Sequence, residues 1–241
     1  MPAEKPRRIL QGAVGAVRLV EHAGRTLVEK RMPDPRRHDA EVRALRALAN
    51  SGLPIPQLVA DEAGTILMTR LPGDRLDAGN ADERIDLLRA SAPLMRRLHE
   101  LTPPSGLPPG PDDALIIRRY RDSAGPPLPL TVPPPQRPSF CHGDWTDGNV
   151  LATAGVVTGI VDWEAAHVGD PLRELSRAAW GASLKDPRSF DALVDGYGAD
   201  REAAWAWAPI HAAELWLWFA EAGPPEYLAQ LTATLRDWPH G

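Results

Sequence analysis

The chain has one cysteine, Cys141, among 241 residues, so it forms no internal disulfide and no cysteine-based zinc site, which suits a reducing cytoplasm. Long apolar runs are missing too. The longest compact one, Leu215 to Ala220, falls far short of the ~18 residues a membrane-crossing helix needs. No apolar h-region follows the opening Met1-Pro2-Ala3-Glu4-Lys5-Pro6-Arg7-Arg8, and no secretory leader is expected. Nor is there an excess of cations: 27 Lys and Arg against 32 Asp and Glu leave a net charge of −5. Nucleic-acid affinity comes mainly from clustered cations on phosphates, so nucleic acid is not an expected partner. A soluble cytoplasmic protein with neither nucleic acid nor membrane as partner is the expectation; its oligomeric state stays open. No internal repeat or heptad pattern occurs.

Proline, by contrast, is abundant: 26 residues, about twice the usual share of roughly 5%. Twelve of them lie between Pro103 and Pro138, together with Gly106, Gly110 and Gly125, which predicts a loop rather than regular helix. Within it, Ala114 to Tyr120 suits one or two helical turns, anchored by Leu115, Ile116 and Tyr120. Eight tryptophans are present, and Trp205, Trp207, Trp216 and Trp218 cluster near the end, where packing is their expected role.

The first seventy residues alternate short β-prone segments with turn signals. Ile9 to Leu10, Ala16 to Glu21, Thr26 to Lys30, Gln57 to Ala60 and Thr65 to Thr69 read as five antiparallel strands, with turns at His22-Ala23-Gly24-Arg25 and Asp61-Glu62-Ala63-Gly64. Asp34-Pro35 supplies a helix cap and first helical residue, and Ala40, Val42, Leu45, Leu48 and Ala49 mark the buried stripe of a helix across that sheet. After Pro72-Gly73 the pattern becomes helical. Asn80 and Glu83 form a capping-box-like start; Ile85, Leu88, Ala92, Met95 and Leu98 mark one face, and Pro93 predicts a kink or a break. From about Pro171 onward the tail is helical. The expected organisation is an N-terminal part over residues 1–71 and a C-terminal part over 72–241 that includes the proline-rich loop 103–138.

Chemistry-bearing residues concentrate between that loop and the tail. His142-Gly143-Asp144-Trp145-Thr146-Asp147-Gly148-Asn149 precedes a predicted hairpin of Val150 to Ala152 and Val156 to Val161. Asn149 stands where the first strand begins and Asp162 where the second ends, so antiparallel pairing brings Asp144, Asn149 and Asp162 to one end of the hairpin. Convergent carboxylate and amide oxygens suit a hard divalent cation such as Mg²⁺ where phosphates complete its shell. On that logic Asp144 orients and deprotonates an acceptor hydroxyl, and Asn149 with Asp162 holds the metal. The same aspartates and glycines also suit plain turns at strand ends. Trp145 and Asp147 are candidates for acceptor contact or for loop packing. His142 is expected to brace the loop, Cys141 to act as a small buried hydrophobe, and Asp170 to cap the following helix.

The set His142-Gly143-Asp144 with Asn149, then Ile160-Val161-Asp162-Trp163-Glu164 and Gly169-Asp170-Pro171, resembles the aminoglycoside phosphotransferase and choline kinase-like family of the protein-kinase-like superfamily. The resemblance implies an α+β, bilobal protein-kinase-like fold, with a small antiparallel-sheet N-lobe carrying one helix and a mostly helical C-lobe. It implies Asp144 as catalytic base, Asn149 and Asp162 as Mg²⁺ ligands, and Lys30 as the contact to the α- and β-phosphates, ion-paired with Glu41. Gln11-Gly12-Ala13-Val14-Gly15-Ala16 would be the phosphate-covering turn, with Gly12 and Gly15 allowing close backbone approach. Met68 to Gly73 resembles the hinge, whose Met68 and Arg70 would meet the nucleotide. The implied activity is ATP- or GTP-dependent phosphorylation of a small hydroxylated molecule, an aminoglycoside-like or other antibiotic first. A metabolite of the choline, sugar-amine or homoserine type is the alternative, and a non-catalytic nucleotide-binding scaffold a lesser one. Asp147, Glu164, Glu214, Glu221 and Glu226 are candidates for a negative acceptor pocket suited to a cationic molecule.

Overall fold

The computed structural model describes residues 10–11, 16–62 and 64–238. Strands β1 (Leu10–Gln11), β2 (Ala16–His22) and β3 (Arg25–Arg31) are followed by helix α1 (Pro35–Leu48) and strands β4 (Leu58–Glu62) and β5 (Thr65–Thr69). They form an antiparallel five-stranded sheet in the order β1-β2-β3-β5-β4. The β2–β3 hairpin closes through Ala23 and Gly24, both at positive φ (49° and 75°), as the two-residue turn that matches strand twist requires. Asp34 caps α1, its carboxylate accepting from Arg36 N at 2.9 Å. The helix buries Ala40, Val42, Ala44, Leu45 and Leu48, while Ala49, expected in that stripe, is exposed at the C-cap. β4 runs on through Glu62 where a turn was expected from Asp61. Gly12 and Gly15 lie outside the described residues.

The chain then passes to strand β6 (Asp74–Arg75), helices α2 (Ala81–Glu100) and α3 (Asp113–Arg121), and strands β7 (Ser139–Cys141), β8 (Val150–Thr153), β9 (Val156–Ile160) and β10 (His167–Gly169). Helices α4 (Pro171–Ser183), α5 (Arg188–Tyr197), α6 (Arg201–Trp205), α7 (Ala208–Glu221) and α8 (Pro225–Arg236) complete it. β6, β8 and β9 form a small sheet and β7 pairs with β10. The architecture is thus a bilobal α+β fold: a small antiparallel-sheet lobe with one helix, and a mostly helical second lobe.

Three expectations need correction. Of the kink or break expected at Pro93, the break does not occur: α2 runs unbroken from Ala81 to Glu100. Proline lacks the N–H that would bond the carbonyl four residues earlier, and that carbonyl, of Arg89, lies against Gly196 of α5. In α3 Tyr120 is buried and Ile116 packs partly buried against the core, as expected, but the third anchor is Ile117 and not Leu115, which is exposed. Of the four clustered tryptophans, Trp207 and Trp216 are buried, Trp205 is half-buried, and Trp218 is 52% exposed. The core of the second lobe is built on Leu88, Met95 and Leu98 of α2 against Leu175 and Leu193 of α4 and α5.

Candidate active site

The loop 142–149 is held from below by aromatic rings. His142 is fully buried, with Trp163 at 4.5 Å between ring centroids and Trp145 at 5.8 Å. Its Nδ1 accepts from Asp144 N at 3.2 Å and its Nε2 donates to the carbonyl of Val161 at 3.0 Å. Both nitrogens are therefore spent on bracing, and burial lowers the imidazole's pKa below its ordinary value. Gly143 has φ +85°, and a Cβ there would stand 2.1 Å from the carbonyl of Ala165. Only glycine lets the loop cross the turn 163–166 so closely.

Asp144 carries its carboxylate into an open region, 39% exposed. Oδ2 accepts from Asn149 Nδ2 at 2.9 Å, and the same amide nitrogen bonds the Asp144 carbonyl at 2.9 Å. The Asn149 side chain thus turns its amide N–H groups to Asp144 and leaves its carbonyl oxygen for another partner. Across the β8–β9 hairpin, Val161 N donates to the Asn149 carbonyl at 2.9 Å and Val150 faces Ile160. This register sets Asp162 beside Asn149 at the hairpin's end. Asp162 lies in the left-handed region (φ 68°, ψ 65°), where Asp is tolerated better than most residues.

On the sheet side, Lys30 is buried at the end of β3 and points across the lobe boundary. Its Nζ donates to Glu41 Oε2 at 2.7 Å and to Asp162 Oδ1 at 2.5 Å, with Glu164 Oε2 at 2.9 Å. Burial works against its charge, but Glu41 and Asp162 outweigh that and raise the ammonium's pKa. Burial conversely pushes the Glu41 carboxyl up, against the pull of Lys30. Glu41 Oε1 is buried with no hydrogen-bond partner, and ligand oxygens of Glu41, Asp162 and Glu164 lie within 4.8 Å of one another. These three carboxylates close on the Lys30 ammonium; the half-exposed Asp162 carboxylate and the side-chain carbonyl oxygen of Asn149 are the oxygen donors whose chemistry fits a hard cation such as Mg²⁺. Met68 is buried in the sheet's core near the end of β5, and Arg70 just beyond it is exposed.

Two residues that sequence reasoning did not assign to the site hold it together. Glu174, fully buried in the first turn of α4, accepts from His142 N at 3.0 Å and from Gly143 N, and bonds His99 Nε2 at 2.7 Å. Burial by itself would raise its pKa, yet the hydrogen bond and charge of His99 bring it down to about 2. An acidic residue four positions after the helix cap Asp170 was its only signal. Arg177, one turn further along α4, donates from Nη2 to Asp144 Oδ1 at 3.3 Å.

Residues 5–211 match the profile of the phosphotransferase enzyme family. The chain belongs to that family. Among solved structures this phosphotransferase is similar to a macrolide 2′-phosphotransferase type I, at 18% identity and a TM-score of 0.68, over 95% of this chain and 90% of that one. It is similar to the protein in a gentamicin–APH(2″)-IIa complex at 17% identity and TM-score 0.67, over 96% and 91% of the two chains. The macrolide 2′-phosphotransferase MphH from Brachybacterium faecium gives 18% and 0.63, over 95% and 90%. At such identities the likeness is one of fold. No curated protein matches this sequence.

The carboxylates considered for a negative acceptor pocket do not form one in this phosphotransferase. Asp147 is buried against Arg84 (3.1 Å) and Lys185 (2.9 Å), and Glu164 is taken by Lys30 and Arg37. Glu214 lies between Arg173 (3.3 Å) and Arg177 (3.5 Å), Glu221 pairs with Arg119, and Glu226 is exposed on α8. Trp145 is likewise buried, its Nε1 3.4 Å from Ser91 Oγ. Beside Asp144 is a cavity of about 390 Å³, lined by Pro108 to Pro111, Gly143, Ala165, His167 and residues of α4.

Proposed function

We propose that the protein is an ATP- and Mg²⁺-dependent O-phosphotransferase that moves the γ-phosphoryl group to a hydroxyl of a small molecule, with GTP as the alternative donor. One observation carries this: Asp144, Asn149 and Asp162 stand at one end of the β8–β9 hairpin, beside the Lys30–Glu41 pair from the distant N-terminal sheet and helix. Asp144, 39% exposed and next in sequence to Gly143 of the cavity wall, accepts the proton of the acceptor hydroxyl, oriented by Asn149 and by the His142 bracing behind it. Lys30, fixed by Glu41, meets the α- and β-phosphates; the hinge around Met68 and Arg70 and the turn with Gly12 and Gly15 take the rest of the nucleotide. Asn149 and Asp162 hold Mg²⁺, which when bound supplies positive charge to the phosphate oxygens.

The acceptor enters through the cavity beside the proline-rich loop, and an aminoglycoside-like or other antibiotic is the first class to test, in a cytoplasmic setting. A second reading, a kinase for a hydroxylated metabolite, is favoured by the pairing of four of the five candidate carboxylates with arginine or lysine. A polycationic acceptor would find little open negative surface there.

The test is incubation with ATP or GTP, Mg²⁺ and a panel of aminoglycosides, macrolides, nucleoside antibiotics and amino alcohols. A product heavier by about 80 Da, one phosphoryl group, is the expected result. Asp144→Asn is expected to lower transfer by about 10²–10⁴-fold with fold and nucleotide affinity kept. Equal turnover by that variant would remove the base assignment, and nucleotide binding without transfer across the panel would favour a scaffold.

A further inference from the structure

We propose that Arg177 is a catalytic residue: its guanidinium touches the phosphoryl group in transit and neutralises it. The proposal rests on the phosphoryl-transfer function above. In that reaction the bond from the γ-phosphorus to the β,γ-bridging oxygen breaks, its electron pair leaving with the nucleoside diphosphate. The acceptor oxygen bonds the phosphorus, and the hydroxyl proton passes to Asp144. Negative charge is spread over three equatorial oxygens throughout, and fixed cations aimed at them lower the barrier.

The catalytic loop offers no such cation. Between Asp144 and Asn149 stand only Trp145, Thr146, Asp147 and Gly148. Lys30 is surrounded by Glu41, Asp162 and Glu164 on the far side of the site. Among the described residues, Arg177 is the one lysine or arginine in ion-pair reach of Asp144, at 3.3 Å from Oδ1. Its other contact, to Glu214 at 3.5 Å, is also single and long. Most of the five guanidinium N–H donors therefore remain for phosphoryl oxygens. The side chain is 40% exposed and lines the cavity, yet it projects from a helix whose neighbouring Glu174, Leu175, Ser176, Ala178 and Ala179 are buried. A cation on so firm a support is pre-positioned. Orientation of Asp144 does not need it, because Asn149 already bonds Oδ2 and His142 bonds the Asp144 backbone.

The experiment compares wild type, Asp144→Asn, Arg177→Gln, Arg177→Lys and Arg177→Ala in steady-state turnover of Mg–ATP. Water serves as the universal acceptor, and any acceptor found in the panel is added. Nucleotide affinity and thermal unfolding are measured alongside. Arg177→Gln keeps an N–H donor for Asp144 but no charge; it is expected to lower kcat by about 10²–10³-fold while nucleotide affinity and melting temperature hold. Arg177→Lys should recover part of the loss, and millimolar guanidinium should restore Arg177→Ala. Wild-type kcat in Arg177→Gln, or a change confined to the KM of the acceptor, overturns the proposal. If Asp144→Asn is inactive while Arg177→Gln is not, Arg177 alone loses its role. If Asp144→Asn matches wild type, or wild type consumes no nucleotide, the underlying function falls and takes this role with it.

Discussion

Asp147 sits inside the loop that carries Asp144 and Asn149, yet its carboxylate is buried and taken up by Arg84 and Lys185, while Arg84 also donates to Ser189 at 3.0 Å. These bonds fasten the loop to α2 and to the start of α5. Arg84 is buried, so removing its counter-charge strands a guanidinium away from water. Asp147→Ala is expected to cost about 3–5 kcal/mol of stability, read from chemical denaturation, and more than Lys185→Ala, whose ammonium is exposed. Only neighbours distant in sequence decide which carboxylates of this chain are open: Asp147 and Glu214 look alike as residues and differ from Glu226 only in what surrounds them.

At the scale of elements, α2 and α5 meet where a backbone irregularity in one faces a glycine in the other. Pro93 frees the Arg89 carbonyl, and a Cβ at position 196 would lie 2.4 Å from that oxygen. Gly196→Ala is therefore expected to force α5 outward and cost about 1–3 kcal/mol, visible as a lower melting temperature. Helix and strand starts were legible because their signals are local. Asp34, Asn80 and Asp170 accept backbone N–H groups at their own helix ends, and Ala154-Gly155 closes the β8–β9 hairpin at positive φ. Whether α2 breaks or continues at Pro93, and the burial of Ile117 in place of Leu115 in α3, were not legible. Each depends on the partner helix against which it packs.

For the whole molecule, buried ionic groups set the response to acid. Glu174 and Glu214 have pKa values near 2 in the folded protein against an ordinary 4.5, and His211, fully buried, is lowered to about 4 from 6.5. In each case burial is the largest influence; it lowers His211, while for the carboxylates partners such as His99, His211 and Arg173 overcome it. Every one of these groups binds protons more readily in the unfolded chain, so acid favours unfolding. Stability is expected to be fully present above about pH 6.5, to decline through His211 down to about pH 4, and to fall further through the carboxylates between about 4.5 and 2. Urea midpoints measured across that range check this, and Glu174→Gln should flatten the lower part of the curve.

The sequence by itself determined the local grammar: the sheet-then-helix order, the caps, the hairpin, and the set of Asp144, Asn149 and Asp162 at one hairpin end, because register and capping act over a few residues. Tertiary structure alone decided which charges stay available. Glu174 beneath the loop 142–149, Arg177 beside Asp144, Glu164 joining Lys30, and the closing off of Asp147 and Glu214 all arise from contacts between elements far apart in the chain. The physical reason is that a charge is silenced or exposed by what packs over it, and packing is a property of the assembled lobes.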